Sequence, residues 1–375
     1  MGSRTRIAAL AIAVLSVAAA ASAQGRNLKE ENRRRDQQLN DPARYLAMIA
    51  AYRDADTAGS VDLLADAEWD EPRLKMQLRH LDFTPAQPEE VWRVAPVMHV
   101  DVALKLSPTL KDDDEVAAVH LWMAGELIRL GIRERGDAIS DLAERLYVAL
   151  SRLMIDRMAP YGAERVLRDA RKRLPDRVPV LYESGRLAEL LATDYAMIGM
   201  VRLYTTSREV EVLLNRIRER RTGYLNDAAG WLRRAATLAP DQDLLQVHLG
   251  RVLALRRDDD GAAAILARAA ASEDDAIAYL AGVFAGGLRE RQKQFDEAAA
   301  AYRGAIARFP LGHAAYVGLS EVLQRTGKGD ESRAVLLSML TESLGETREP
   351  LWWYFFEPPG TAERRLEELR KEVRR

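Results

Sequence analysis

The chain has 375 residues, 48% of them hydrophobic, enough for a continuous core, and its 55 basic and 57 acidic groups nearly cancel. Balanced charge excludes the basic footprint of a nucleic-acid binder and suits solvent-facing helix surfaces that intersperse both signs. The absence of cysteine excludes disulfides, thiol nucleophiles, zinc thiolate sites and the lipid attachment of a bacterial lipoprotein.

Residues 1–23 read as an address. Arg4 and Arg6 give a positive start, Ile7 to Ala20 supply an apolar core fourteen residues long, and Ala21-Ser22-Ala23 offers a small-x-small cleavage pattern before Gln24. Counted through Ala23, the stretch reaches only about 17 residues, near the minimum for crossing a bilayer. A cleaved export signal is therefore expected, with a periplasmic or secreted product, a formal charge of about −4 and no integral membrane span afterwards. Thr5 separates the two arginines, so no twin-arginine signal is present and export takes the unfolded chain.

Residues 24–40 form a charged lead whose only large apolar residues are Leu28 and Leu39. From 41 to 160 helix signals persist. Asp41-Pro42 starts a helix with the stripe Tyr45, Leu46, Ile49 and Tyr52, and Ser60 caps a short second one with Val61, Leu63 and Leu64. Thr84-Pro85 and Gln87-Pro88 break the chain before a helix carrying Val91, Trp92, Val94, Ala95, Met98, Val102 and Leu106, which Ser107-Pro108 stops. Asp112 to Glu115 place negative charge at the start of the next helix, and the spans Val116–Gly131 and Asp137–Met158 follow. His99 with Asp101 and His120 with Glu126 are the nearest approach to a catalytic constellation, but none of the five histidines falls in an HExxH pair.

Small residues then recur at a fixed period: Ala228, Ala262, Ala298 and Ser332 are separated by 34, 36 and 34 positions. Each is followed four and seven places later by a bulky apolar and a small or flexible residue: Leu232 and Ala235, Leu266 and Ala269, Tyr302 and Ala305, Leu336 and Met339. Pro240 and Pro310 close two of these helices. A partner helix precedes each of the later three, with Leu249-Gly250, Ala285-Gly286 and Leu319-Ser320 standing thirteen and twelve places before the anchor. These residues resemble the tetratricopeptide repeat, a helix-turn-helix unit of about 34 residues, over Tyr224 to Leu340.

The resemblance implies an all-α fold, a right-handed α-solenoid of antiparallel helical hairpins, with degenerate hairpins over 41–160, the repeat stack over 161–345 and an aromatic segment with a capping helix over 346–375. A half-match lies earlier, in Ala163, Leu167, Ala170 and Pro175 followed by Leu181 and Ser184-Gly185, but the anchor due near 197 arrives only at Ala228. Either a helical insertion occupies about 194–223 or one unit has diverged. Leu351 to Phe356 is the densest aromatic run, ahead of a last helix with Leu366 and Leu369. It either covers the apolar flank of the final hairpin or grips a partner.

In this family the first helix of each hairpin lines a groove. Its groove slots here hold Tyr182, Arg186 and Glu189; Leu244, Val247, Arg251 and Leu255; Leu280, Val283, Glu290 and Arg291; and Val317, Glu321, Gln324 and Arg325. Recurring guanidinium groups beside aliphatic patches suit a carboxylate-bearing protein or peptide partner, unless those arginines are used by acids on neighbouring helices. The chaperone-tail subclass is not implied, because Val247 and Arg251 stand where it has lysine and asparagine. Asp258-Asp259-Asp260-Gly261 lacks the ligand alternation of a calcium loop, and no phosphate loop, cofactor motif or metal motif is present. The expected function is an exported, non-enzymatic scaffold that docks a protein or peptide in a periplasmic or envelope assembly. The alternative is an accessory subunit or enzyme with its site in 41–160, gathering His99, Asp101, His120 or Glu126.

Overall fold

The computed structural model describes residues 42–54, 61–62, 64–65, 89–108, 110, 115–157, 159–193, 207–342, 349–355 and 360–375. The expected export signal, the charged lead, the Ser60 cap, the breaks before residue 89, residues 194–206 of the expected insertion and Phe356 lie outside them. Every regular element among the described residues is helical. The chain forms two compact units. The first takes the described residues within Met1–Pro108, Asp114–Ile139 and Lys371–Arg375, and the second those within Thr109–Asp113 and Ser140–Arg370.

In the first unit, α1 (Pro42–Arg53) and α3 (Glu115–Arg135) both pack on α2 (Glu89–Leu106). Burial follows the apolar stripes: Tyr45, Ile49 and Tyr52 of α1 and Val91, Trp92, Val94, Ala95 and Met98 of α2 meet Met123 and Leu127 of α3 in the core. Gly136, at φ +64°, turns the chain from α3 into α4 (Asp137–Asp156). The units divide within the first turn of α4, at Ile139, where the repeat arithmetic places the change at 160. The reason is the face that α4 presents: its Leu142, Leu146, Leu150 and Leu153 are buried, and its Tyr147 hydroxyl donates to Asp169 of α5 (Pro160–Arg173) at 2.6 Å.

The second unit continues with four antiparallel pairs: α6 (Val178–Leu191) with α7 (Ser207–Leu238), α8 (Asp243–Leu255) with α9 (Asp259–Ala269), α10 (Asp275–Arg291) with α11 (Phe295–Arg308), and α12 (His313–Arg325) with α13 (Gly329–Glu342). The repeated columns are the seams of these pairs. A Cβ on Gly250 would stand 2.7 Å from the Leu266 side chain, and one on Gly286 would stand 2.5 Å from the Tyr302 ring. Only glycine lets the bulky residue of the second helix come so close. In the last pair Ser320 and Ser332 fill the two slots and join by a hydroxyl–hydroxyl hydrogen bond of 2.8 Å.

The α6–α7 pair accounts for the late anchor. Gly185 packs under Leu232, so α7 is the second helix of that same hairpin, extended at its N-terminal side without a boundary at 223. Extra sequence therefore lies inside one repeat. Successive first helices also touch one another, α6 with α8, α8 with α10 and α10 with α12. They form a continuous inner row.

Short α14 (Pro350–Phe355) returns to this row and packs on α10, and α15 (Thr361–Val373) buries Ala362, Leu366 and Leu369. Within the second unit, Arg157, just past α4, faces Glu363 of α15 at 3.8 Å. The aromatic segment thus leaves the final hairpin as it was: Leu336, Leu337 and Leu340 of α13 remain 36%, 59% and 58% exposed. Tyr354 covers the inner row instead of that flank, because its hydroxyl finds an acceptor there.

Candidate functional site

Glu189 is the centre of the inner row. It lies on the last turn of α6, wholly buried, and a buried carboxylate is costly unless donors surround it. Three side chains converge on it. His248 Nδ1 of α8 lies 2.7 Å from Oε2, Arg251 Nη1 donates to Oε1 at 2.9 Å, and the Tyr354 hydroxyl of α14 reaches both oxygens at 2.8 and 3.1 Å. Because the carboxylate accepts, the His248 ring carries its proton on Nδ1. Burial lowers the His248 pKa against the opposing pull of Glu189, and burial with the nearby acid drives the Tyr354 pKa upward. Tyr354 therefore stays protonated and donates.

Rings complete the slot. Tyr354 stacks on His248 with centroids 3.9 Å apart and planes inclined by 21°, and Phe284 of α10 meets its edge at 5.2 Å. The Arg251 guanidinium lies over both the Phe284 and Tyr354 rings, at 4.9 and 5.1 Å. Tyr182 of α6 closes the far side of His248, edge-on at 5.3 Å.

A second pocket receives Glu349, five residues before Tyr354. Its Oε2 accepts from the Tyr279 hydroxyl at 3.1 Å and from the Ala314 amide at 3.0 Å, and its Oε1 accepts from the Leu351 amide. Ala314 is in the first turn of α12, whose N-cap is Gly312 and offers no side chain. Glu349 supplies from outside the helix what a capping side chain would supply from within, and its negative charge meets the positive end of the helix dipole.

The residues expected to line the groove separate into three groups. Tyr182 and Arg251 do belong to the row. Arg186 and Val247 do not face solvent: Val247 is fully buried because α8 is enclosed by α6, α7, α9 and α10, and Arg186 is committed to Glu183, its Nη2 donating at 2.8 Å. Burial alone would raise the Glu183 pKa, but Arg186 and Arg152 on either side outweigh it and hold the group low. Farther along, Arg291 is paired with Asp259 at 2.5 Å, and Arg325, half exposed, reaches Glu321 at 3.4 Å and Glu290 at 3.7 Å. The four arginines thus meet acids of their own chain. Where the row does take a carboxylate, at Glu349, hydroxyl and amide donors hold it.

His248, Phe284, Tyr279, Glu349 and Tyr354 were not singled out as groove residues from the sequence. The legible signal was limited to a histidine on a first helix and a late aromatic run. In the first unit the structure does join His99 to His120, Nδ1 to Nδ1 at 2.9 Å, with the Tyr45 hydroxyl 2.9 Å from His99 Nε2. Asp101 instead receives the Tyr52 hydroxyl at 2.5 Å, and Glu126 pairs with Arg129. Both imidazoles are wholly buried. Burial lowers the His99 pKa well below its usual value, with the neighbouring His120 adding to it, and burial alone brings His120 to about 4. One neutral ring donates to the other, which makes this ladder a structural tie within the core. Among the described residues no group of three or more His, Asp or Glu is arranged to hold a metal ion, and no helix is long and apolar enough to cross a membrane.

Columns, seams and the inner row together define a tetratricopeptide-repeat fold, here with the row occupied by the chain's own C-terminal segment. No family model and no curated protein matches the sequence. Among solved structures, the chain is similar to MamA, with 18% identity and a TM-score of 0.40 over 53% of this chain and 91% of that one. MamA from Desulfovibrio magneticus RS-1, residues 41 to the end, gives 17% identity and 0.37 over 54% and 98%. A thermophilic TPR protein of Thermus thermophilus gives 20% identity and 0.36 over 61% and 100%. The fold is defined by this chain's own seams and hairpins, independently of these likenesses.

Proposed function

We propose that the protein is a non-enzymatic scaffold that docks a segment of another protein on the inner row of first helices. One observation carries this reading: the row α6, α8, α10 already holds a peptide segment, through a ring slot closed by Glu189, His248, Arg251 and Phe284 around Tyr354. Beyond that segment the row continues over α12, where Val317 is 52% exposed and Glu321 and Arg325 are exposed beside it. A mixed apolar and charged strip of this kind suits a peptide more than a small molecule.

The working compartment in this proposal is the periplasm or the outside of the cell, supported by the positive, apolar and small-residue sequence of residues 1–23. Purified from its native cells, the protein is expected to begin at Gln24, and a product that retains Met1 and Arg4 would contradict export by cleavage. The docking itself is tested by placing a photo-crosslinking residue at Glu321 or Arg325 and another at Arg303 on α11, away from the row. Discrete protein adducts from the two α12 positions and none from α11 are expected in the native envelope. Adducts absent from α12, or equal at all three positions, would overturn the reading.

A further inference from the structure

The segment in the row has the marks of a ligand. Its two anchors are polar, and each enters a pocket built by other helices. Besides Tyr354, Glu189 is held by His248 and Arg251, so the acceptor does not depend on the phenol alone, and two rings, His248 and Phe284, flank the slot that receives it. The Glu349 pocket is likewise built by groups outside the segment, the Tyr279 hydroxyl and the first turn of α12. These pockets are filled by residues five apart on one short stretch. A segment serving only as a cover would bury apolar side chains over the exposed leucines of α13, which it leaves uncovered.

We propose that Glu349–Tyr354 is a resident occupant of the docking row, displaced by a partner peptide that presents a carboxylate and, five residues later, a tyrosine, and that continues across Val317, Glu321 and Arg325 of α12. This rests on the docking reading above and adds to it the chemistry of the partner and the competition that guards the site. The resident segment competes at a high effective concentration, on the millimolar scale for a short tether. A partner limited to the same two anchors would lose to it. Contacts on the open face of α12 are what a partner gains and the resident segment lacks.

The test uses the full mature chain and a fluorescent synthetic peptide copying residues 347–358. The parent protein is expected to bind the peptide weakly, and Tyr354→Ala to bind it at least tenfold more tightly. Replacing the tyrosine of the peptide by phenylalanine, or its glutamate by glutamine, should each cost at least tenfold, and Glu189→Gln in the Tyr354→Ala background should abolish the gain. Should Tyr354→Ala not fold, as judged by circular dichroism, Tyr354→Phe removes only the hydroxyl and is expected to shift affinity in the same direction. Equal binding by parent and variants, or binding indifferent to the phenol, overturns the proposal. So does a parent dimer that the peptide converts to monomer, which would assign the segment to exchange between copies. If the peptide fails while crosslinks from Glu321 and Arg325 persist, docking stands and the displacement motif falls.

Discussion

Tyr354 owes its position to one hydroxyl. Its ring is sandwiched by contacts that phenylalanine would keep, but only the phenol donates to the buried Glu189, 165 residues earlier in the chain. Hydrogen bonds to charged groups contribute about 1.5–3 kcal/mol. Tyr354→Phe is therefore expected to lower stability toward urea by about 2 kcal/mol, and an unchanged midpoint and slope would show that the hydroxyl is satisfied elsewhere.

His120 makes a different prediction, because burial depresses its folded-state pKa to about 4 from an ordinary 6.5. A base that is harder to protonate when folded stabilises the protein above pH 6.5 and loses that contribution as the pH falls toward 4. The size is about 3 kcal/mol, and the depressed His99 shifts stability in the same direction. Stability curves should show the parent losing that much more than His120→Gln over this interval. Parallel curves would contradict it.

At this scale the sequence revealed Glu189, Tyr182 and Arg251, since each occupies a first-helix slot fixed by local periodicity. It could not reveal their pairing with Tyr354 and Phe284, which depends on where a distant segment returns. Of the two readings open for the groove arginines, the structure shows them paired with acids of their own chain. Helical spacing places Arg186 three residues from Glu183 and Arg291 near Asp259 in the preceding hairpin, and the chain's own acids reach them first.

Among the elements, the turns inside three hairpins share one geometry. Arg257, Lys293 and Gly327 have φ of 66°, 62° and 78°, and the next residue in each case returns an amide to a carbonyl five residues back: Asp258 to Leu253 at 3.0 Å, Gln294 to Arg289 at 2.9 Å and Lys328 to Leu323 at 2.9 Å. This is the helix-ending motif in which a left-handed residue lets the chain reverse and satisfies the last carbonyls. Only one of the three is glycine. Lys293→Gly is expected to raise stability by up to about 1 kcal/mol, and Gly327→Ala to lower it by about the same amount. Thermal melts of the two variants check this, and shifts of the opposite sign would mean that the turns are not formed as described.

The repeat columns made these hairpins legible in the sequence, because a glycine and a bulky residue at a seam leave a periodic trace. The long α7 was less so. A helix extended backward from its anchor displaces the next column without changing the pattern inside it, and the sequence alone does not separate that from a lost repeat. The first unit has no column, so only its apolar stripes were readable.

For the molecule as a whole, the consequence is a repeat unit whose inner row is already in use. Stacked hairpins bury each other's seams and leave the row of first helices as an extended surface. Here the row carries a desolvated acid, a ring slot and a helix start without a capping side chain, and the chain answers all three with six residues of its own. In the proposed reading, partner access is a competition, with α12 as the part of the row left open. The α13 leucines stay exposed because the segment is held by polar anchors elsewhere.

Magnetic resonance on selectively labelled tyrosine and histidine tests this arrangement most directly. The ring protons of Tyr354 and His248, whose centroids are 3.9 Å apart, should give a strong nuclear Overhauser contact in the full chain, with the His248 ring protonated on Nδ1 at neutral pH. No contact between the two rings, with Tyr354 at the chemical shift of an exposed tyrosine, would show that the segment does not occupy the row.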